Sequence, residues 1–183
     1  MHLESLMVME GFISKYLDKN KKLKILDAGS KNVSGGDYRG LFVGGYSPRE
    51  IYFEEKIDGK DYTPNPNWEY VGGDLEAGQN VDIIFKDGYD WGLTEQYDVI
   101  ISGQTMEHVE DLHKWILEVK KNLKDGGIMC LIVPNHFREH RCPIDCWRVF
   151  PDGMRFLMEK IANLEVINIY TYSDDTIGIA RKI

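Results

Sequence analysis

Apolar residues fall along this chain in two rhythms, and the alternation between them predicts its layout. Leu3, Leu6, Met7, Met9, Phe12, Ile13, Tyr16 and Leu17 recur at helical spacing, so residues 3–17 read as an amphipathic helix. The polar link Asp18-Lys19-Asn20-Lys21-Lys22, a solvated turn, leads into a short buried strand from Leu23 to Leu26. Trp68–Asp74 and Asn80–Phe85 read as the second and third strands. The β-branched run Tyr97–Ser102 is the fourth and belongs in the centre of a sheet. A helix is expected next, with Val109, Leu112, Ile116, Val119 and Leu123 on one face. Glu110 and Asp111 fall in its first turn and Lys120, Lys121 and Lys124 in its last, as the helix dipole favours. Asp125-Gly126-Gly127 should stop it before a fifth strand, Ile128–Val133. Pro151-Asp152-Gly153 starts a last helix, running to Ile161. Glu165–Tyr172 and Thr176–Arg181 then alternate about Ser173-Asp174-Asp175 as a hairpin.

Between Val33 and Asn67 no period holds. Gly44-Gly45, Ser47-Pro48, Asp58-Gly59 and Pro64-Asn65-Pro66 are turn signals, with Ile51-Tyr52-Phe53 as a short strand among them. So long an irregular stretch in a compact domain is usually functional, and residues 43–67 are expected to form an insertion or lid loop within one domain spanning 1–183.

Composition narrows the class without naming it. A chain of 183 residues, 43% hydrophobic and 28% charged, is an ordinary globular domain able to bury a core. No apolar run approaches the ~20 residues of a membrane helix, and Glu4 and Glu10 break any signal-peptide pattern. Three cysteines without a secretory signal point to reduced thiols and a cytoplasmic setting. A net charge of −8 argues against binding along a nucleic-acid backbone.

The candidate chemistry gathers at strand ends. In open α/β sheets ligands bind beyond the carboxyl ends of the strands, and only a small residue lets backbone approach them closely. Asp27 and Gly29, just past the first strand, suit the floor of such a site, although a strand-Asp-x-Gly turn also occurs as plain structure. Asp74, ending the second strand, suits the two hydroxyls of a ribose; the plainer reading is a turn cap with Leu75-Glu76. Past the third strand, Asp87 suits an adenine amino group with Tyr89 or Trp91 packing on the ring, and Asp90 is the competing register.

Taken in order, Ile25-Leu26-Asp27-Ala28-Gly29-Ser30, Tyr70-Val71-Gly72-Gly73-Asp74, Tyr97–Ser102 with Glu107-His108-Val109, and Leu123-Lys124-Asp125-Gly126-Gly127 resemble a class I S-adenosylmethionine-dependent methyltransferase. Residues 139–154 resemble a narrower subgroup of small bacterial methyltransferases, some of which look like enzymes of surface-glycan modification. The resemblance implies an α/β, Rossmann-like three-layer sandwich, with a mostly parallel seven-stranded sheet closed by a C-terminal antiparallel hairpin. It implies S-adenosylmethionine as cofactor: Asp27, Gly29 and Ser30 at its methionine part, Asp74 at the ribose, Asp87 at adenine, and Ser102 to Gln104 near the sulfonium. Lys31 departs from the family, standing where a second glycine is usual.

In-line attack on the activated methyl needs two reactants held in register and water kept out. An alcohol acceptor must also lose a proton, for which histidine is suited. His108, past the fourth strand, and His140, past the fifth, are the candidate bases; the plainer reading of His108 is a helix-start residue bonded to backbone. Arg141, Asp145, Trp147 and Arg148 suit an acceptor pocket for a small molecule or carbohydrate, an aromatic face for a ring and charged forks for hydroxyls or phosphates. A rival reading of that loop is a zinc site of His136, His140, Cys142 and Cys146, but no metal ligand is assigned. A nicotinamide oxidoreductase would need Gly-x-Gly-x-x-Gly, which is missing. A nucleoside-binding module or an inactive methyltransferase relative is the other alternative, kept open by Lys31.

Overall fold

The structure is a computed structural model and describes residues 3–32, 38–44 and 65–183. Of the expected insertion at 43–67, residues 45–64, with the Ile51-Tyr52-Phe53 strand, lie outside the described residues. The chain runs α1 (Leu3–Tyr16), β1 (Leu23–Ala28), α2 (Arg39–Val43), β2 (Trp68–Asp74), β3 (Ile83–Ile84) and β4 (Tyr97–Gly103). Then come a 3-10 turn (Met106–His108), α3 (Leu112–Asn122), β5 (Leu123–Pro134), α4 (Pro151–Arg155) with a π-helical turn (Phe156–Ile161), β6 (Glu165–Tyr172) and β7 (Asp175–Arg181).

Seven strands form one sheet in the order β3-β2-β1-β4-β5-β7-β6. β1 pairs in parallel with β2 (Asp27 beside Gly72) and with β4 (Asp27 beside Ile101). β7 inserts antiparallel between β5 and β6. Alternate residues of the central strands serve opposite faces. Ile25, Val99, Ile101, Cys130 and Ile132 pack under Leu6, Met9, Phe12 and Ile13 of α1. Leu26, Ile100, Met129 and Leu131 pack under Trp115, Ile116 and Val119 of α3 and under Met154 and Met158. Both faces being covered, the middles of these strands are apolar on both sides, as buried parallel strands tend to be. The result is the Rossmann-like three-layer sandwich with an antiparallel hairpin at one edge. The chain leaves β1 toward β2 and later returns to β4 on its other side, which opens a crevice at the carboxyl ends of β1 and β4.

Three elements differ from the expected ones, each for a local reason. The third strand shrinks to Ile83–Ile84. Asn80 takes a left-handed φ of 71°, and Asp82 bonds Gly72 through both its backbone N–H (2.7 Å) and its carboxylate (2.8 Å). The helix expected from Val109 begins at Leu112, because the carboxylate of Asp111 caps it by accepting the Lys114 N–H at 3.1 Å. It ends at Asn122, before the Asp125-Gly126-Gly127 stop, and Lys124 already belongs to β5, paired with Asp98 at 2.9 Å. The last helix widens after Arg155, where the Ala162 N–H reaches back to the Leu157 carbonyl at 3.0 Å.

No helix among the described residues is long and apolar enough to cross a membrane. All three cysteines are free thiols: Cys130 is buried in β5, whereas Cys142 and Cys146 are exposed. Burial pushes the Cys130 thiol far up from its ordinary range, which removes the reactive thiolate. A maleimide added to the native protein at pH 8 should therefore label two thiols, the third reacting only in denaturant. Mass spectrometry showing modified Cys130 in the native protein would contradict this packing.

Candidate active site

The floor of the crevice is built where β1 turns over β2. Gly29 sits at φ 85°, a left-handed conformation that a side chain resists, and a Cβ there would overlap the side chain of Thr105. The N–H groups of Gly29 and Ser30 both donate to the Gly73 carbonyl, at 2.9 and 3.1 Å. Asp27 is only 2% exposed, and one carboxylate oxygen accepts the Tyr70 hydroxyl at 2.5 Å. Asn80 joins the same network: its amide donates to the Tyr70 oxygen (3.2 Å) and to the Ser30 carbonyl (2.9 Å), and its own carbonyl accepts from the Ser30 hydroxyl (3.0 Å). Arg39 of α2 donates to the Asn80 side chain at 2.6 Å, pairs with Asp82 and lies over the Tyr70 ring. Tyr70, Asn80, Arg39 and Asp82 were not singled out from the sequence. They scatter over more than forty positions, and only the parallel pairing of β1 with β2 collects them.

Lys31 does not obstruct the loop. It keeps an ordinary negative φ, its stem packs along Gly78 and its ammonium pairs with Glu76 at 2.6 Å. Its N–H donates to Asp74 at 3.0 Å, while Glu76 offers the other Asp74 oxygen a long contact of 3.4 Å. Asp74 is thus aimed along the glycine turn with capacity to accept further hydrogen bonds. Asp87 closes its own loop, one oxygen accepting the Tyr89 and Asp90 N–H groups at 2.7 Å each. Asp90 is tied to Lys86 and Lys121 instead. Of the two aromatics expected beside Asp87, Trp91 is 2% exposed and stacks on Phe85 at 4.6 Å as part of the core. Tyr89 is only partly buried, its hydroxyl accepting the Asp111 N–H at 3.0 Å.

Of the five buried side-chain polar atoms without a hydrogen-bond partner among the described residues, four stand around the end of β4, and the fifth, Trp68 Nε1, lies at the start of β2. Ser102 is satisfied, its hydroxyl donating to the Ala28 carbonyl at 2.6 Å. Gln104, at φ 59°, uses its amide on Asp175 (2.9 Å) and on Ser5 (3.3 Å), but its carbonyl oxygen has no donor among the described residues. The hydroxyl of Tyr38, packed against Gly103, is likewise unpartnered, and so are both carboxylate oxygens of Glu107. Folding leaves such groups unmet only at a cost, which makes this end of β4 the candidate place for a polar ligand.

Glu107 was read only as part of a motif, yet it is the most buried acid of the site, at 0% exposed. Its Oε1 lies 3.6 Å from Nε2 of His108 and 3.6 Å from Nε2 of His140, whose rings meet edge-on with centroids 5.0 Å apart. Burial pushes the Glu107 carboxyl up to about 8 and pushes the His108 imidazole down. His108 Nδ1 lies 2.5 Å from the Ile144 carbonyl and His140 Nδ1 lies 3.2 Å from the Arg138 carbonyl. The two candidate bases, 32 residues apart in sequence, therefore share one carboxylate.

The loop that delivers His140 is held by Arg148, expected as an acceptor-pocket residue. All five of its N–H donors are used inside the loop: two on the carboxylate of Asp145 (2.6 and 2.8 Å) and three on the carbonyls of Phe137, Arg138 and Trp147. Asp145, held far below the usual carboxylate range by that guanidinium, also accepts the His140 N–H at 2.6 Å. These two residues are the frame of the loop, with no donor of Arg148 left for a substrate. Arg141 is exposed and paired with Glu139 at 2.8 Å. Trp147 donates its indole N–H to the Val109 carbonyl at 2.7 Å. It lines a cavity of about 670 Å³ with Tyr89, Lys114, Phe150, Phe156 and Leu157. The proposed quartet His136, His140, Cys142 and Cys146 does not converge; among the described residues the one group placed to share an ion is Glu107, His108 and His140.

The model of a family described as a methyltransferase domain matches residues 11–171, nearly the whole chain. The chain belongs to that family. A comparison with curated proteins finds no match. Among solved structures, an O-methyltransferase family protein from Burkholderia thailandensis gives a TM-score of 0.63 at 11% identity, over 98% of this chain and 57% of that one. The CurJ carbon methyltransferase gives 0.65 at 14%, over 96% and 53%. An S-adenosylmethionine-dependent methyltransferase from Clostridium acetobutylicum gives 0.58 at 10%, over 98% and 91%. This methyltransferase-domain chain thus spans little more than half the length of the first two, and at these identities the likeness is one of fold.

Two glycine replacements separate the site's backbone from ordinary helix. Gly29→Ala should cost about 2–4 kcal/mol, from the left-handed strain and the overlap with Thr105. Gly11→Ala, in α1 with nothing within 4 Å of the new methyl, should add about 0.5–1 kcal/mol. Urea denaturation midpoints measure both, and an undestabilised Gly29→Ala would contradict the turn described here.

Proposed function

We propose that this domain transfers a methyl group from S-adenosylmethionine to a hydroxyl oxygen of a small-molecule or carbohydrate acceptor. The observation that carries the reading is the buried carboxylate of Glu107 with two imidazoles turned toward it, set at the crevice end of β4 beside the glycine turn. The family to which the chain belongs supports methyl transfer, and the unpartnered atoms of Tyr38, Gln104 and Glu107 support a polar ligand in that crevice. When bound, S-adenosylmethionine supplies a methyl on a positively charged sulfur that an acceptor oxygen attacks in line.

The chain's own residues would divide the work by position. Asp74 accepts the ribose hydroxyls with the capacity its two backbone contacts leave. Asp87 shapes the loop at the adenine end. Gly29 and Ser30 let the backbone approach, and Asp27 fixes their height above the sheet through Tyr70. Ser102 and Gln104 set the wall beside the methyl. His108 and His140 face the acceptor, whose body is assigned to the neighbouring cavity that Trp147, bonded to the Val109 carbonyl next to His108, helps to line. Oxygen rather than carbon is favoured because removing a hydroxyl proton gives the histidine pair something to do.

Titration calorimetry tests the reading. S-adenosylmethionine and S-adenosylhomocysteine should bind one to one and NAD should not. Asp74→Ala should weaken both by more than about tenfold, since charge-assisted hydrogen bonds are lost. NAD binding with neither sulfur nucleoside, or full affinity in Asp74→Ala, would contradict it.

A further inference from the structure

The Glu107–His108–His140 cluster brings three ligand-type groups together, and the backbone around it orients both histidine rings. A backbone carbonyl can only accept a hydrogen bond. The Ile144 and Arg138 carbonyls, at 2.5 and 3.2 Å, therefore place the ring proton of His108 and of His140 on Nδ1. In the neutral form of either ring Nε2 is then a lone pair, and each Nε2 stands 3.6 Å from Glu107 Oε1. Two imidazole nitrogens and one carboxyl oxygen thus face a single point.

We propose that this point is a divalent cation site, with Glu107, His108 and His140 as three protein ligands of a zinc-class ion. Two imidazoles and one carboxylate are a ligand set that leaves a fourth position open, as in hydrolytic zinc centres. Ligands about 2.0–2.1 Å from a tetrahedral ion stand roughly 3.3 Å apart, so 3.6 Å needs little adjustment. The three ligand atoms lie within 4.8 Å of one another, and the longest separation closes by movement of His140, whose side chain is 32% exposed on its loop. A ligating histidine characteristically donates its other ring N–H to a carbonyl or carboxylate, which fixes its tautomer. Both rings already do so. The Arg148–Asp145 frame then acquires a purpose, since Asp145 anchors the His140 backbone N–H at 2.6 Å and holds the third ligand over a carboxylate that is otherwise sealed.

The consequence for catalysis rests on the methyl-transfer reading; the binding of the ion does not. An acceptor hydroxyl in the open position loses its proton to water more readily beside the cation. The freed oxygen pair forms the bond to the methyl carbon while the carbon–sulfur pair returns to sulfur, leaving a neutral sulfide and a methyl ether. The histidines then serve as ligands rather than as proton acceptors.

The test uses the metal alone. Chelator-treated protein is titrated with Zn²⁺ by calorimetry and with Co²⁺ by its visible absorption, without any nucleoside. One ion per chain is expected, with affinity falling at least a hundredfold in both Glu107→Gln and His140→Ala. His136→Ala and the double variant Cys142→Ser/Cys146→Ser should keep full affinity, since those residues lie outside the cluster. Circular dichroism checks that each variant is folded; His140→Ala, on a partly exposed loop, keeps the test decisive if Glu107→Gln is not. Absence of stoichiometric binding in the wild type, or full affinity in His140→Ala, overturns the site. Calorimetry with S-adenosylmethionine on the chelated protein is a separate readout, so failure of the methyl-transfer reading stays distinguishable from failure of the ion.

Discussion

A phenol donating to a buried carboxylate, Tyr70 to Asp27, is the contact on which the crevice depends. It joins β1 to β2 at the level where both strands end, below the turn that Gly29 makes. Asn80 extends it to Ser30 and Arg39 caps it from α2, so the glycine turn is held from beneath and from the side. An acid at this depth is retained only when it is satisfied, and the same bonds that satisfy Asp27 fix the turn's height. Asp74 then receives the Lys31 N–H and points along the turn rather than away from it.

Across the crevice the logic is reversed. Around Asp27 nearly every polar group is paired, whereas around Glu107 pairing is withheld. The loop between β5 and α4 folds over Glu107, its Cys146 N–H donating to the Glu107 carbonyl at 2.7 Å, yet brings no donor to the carboxylate. Arg148, the cation closest in character to a partner, is fully engaged by the loop's own carbonyls and by Asp145. One side of the site is thus built for rigidity, and the other is the side where we propose that a cation binds. Such a division suits a domain that holds one reactant still while it alters the charge of another.

Periodicity along the chain carried the sheet and its covering helices well, because burial on both faces leaves little freedom in which residues are apolar. The strand-end acids Asp27 and Asp74 were legible for the same reason: a charge that interrupts an apolar run stands out. What the sequence concealed is held by long-range side-chain bonding. Asn80 and Asp82 looked like the start of a strand, and they form a pinned turn because Gly72 is ten residues away in sequence but adjacent in the sheet. Trp91 looked available to a ligand, and Phe85 and Trp115 take it into the core. Arg148 and Asp145 looked like substrate forks, and they face each other. Glu107 passed as a loop residue, since nothing near it in sequence shows that residues 140–146 fold over it.

The most direct test of this arrangement is a crystal structure of the protein with S-adenosylhomocysteine. The ribose hydroxyls should lie within 3.2 Å of Asp74, and the sulfur should face the 104–108 loop with Glu107 and the two histidines beyond it. A nucleoside bound away from Asp74, or a sulfur turned away from that loop, would contradict the assignment of both halves of the site.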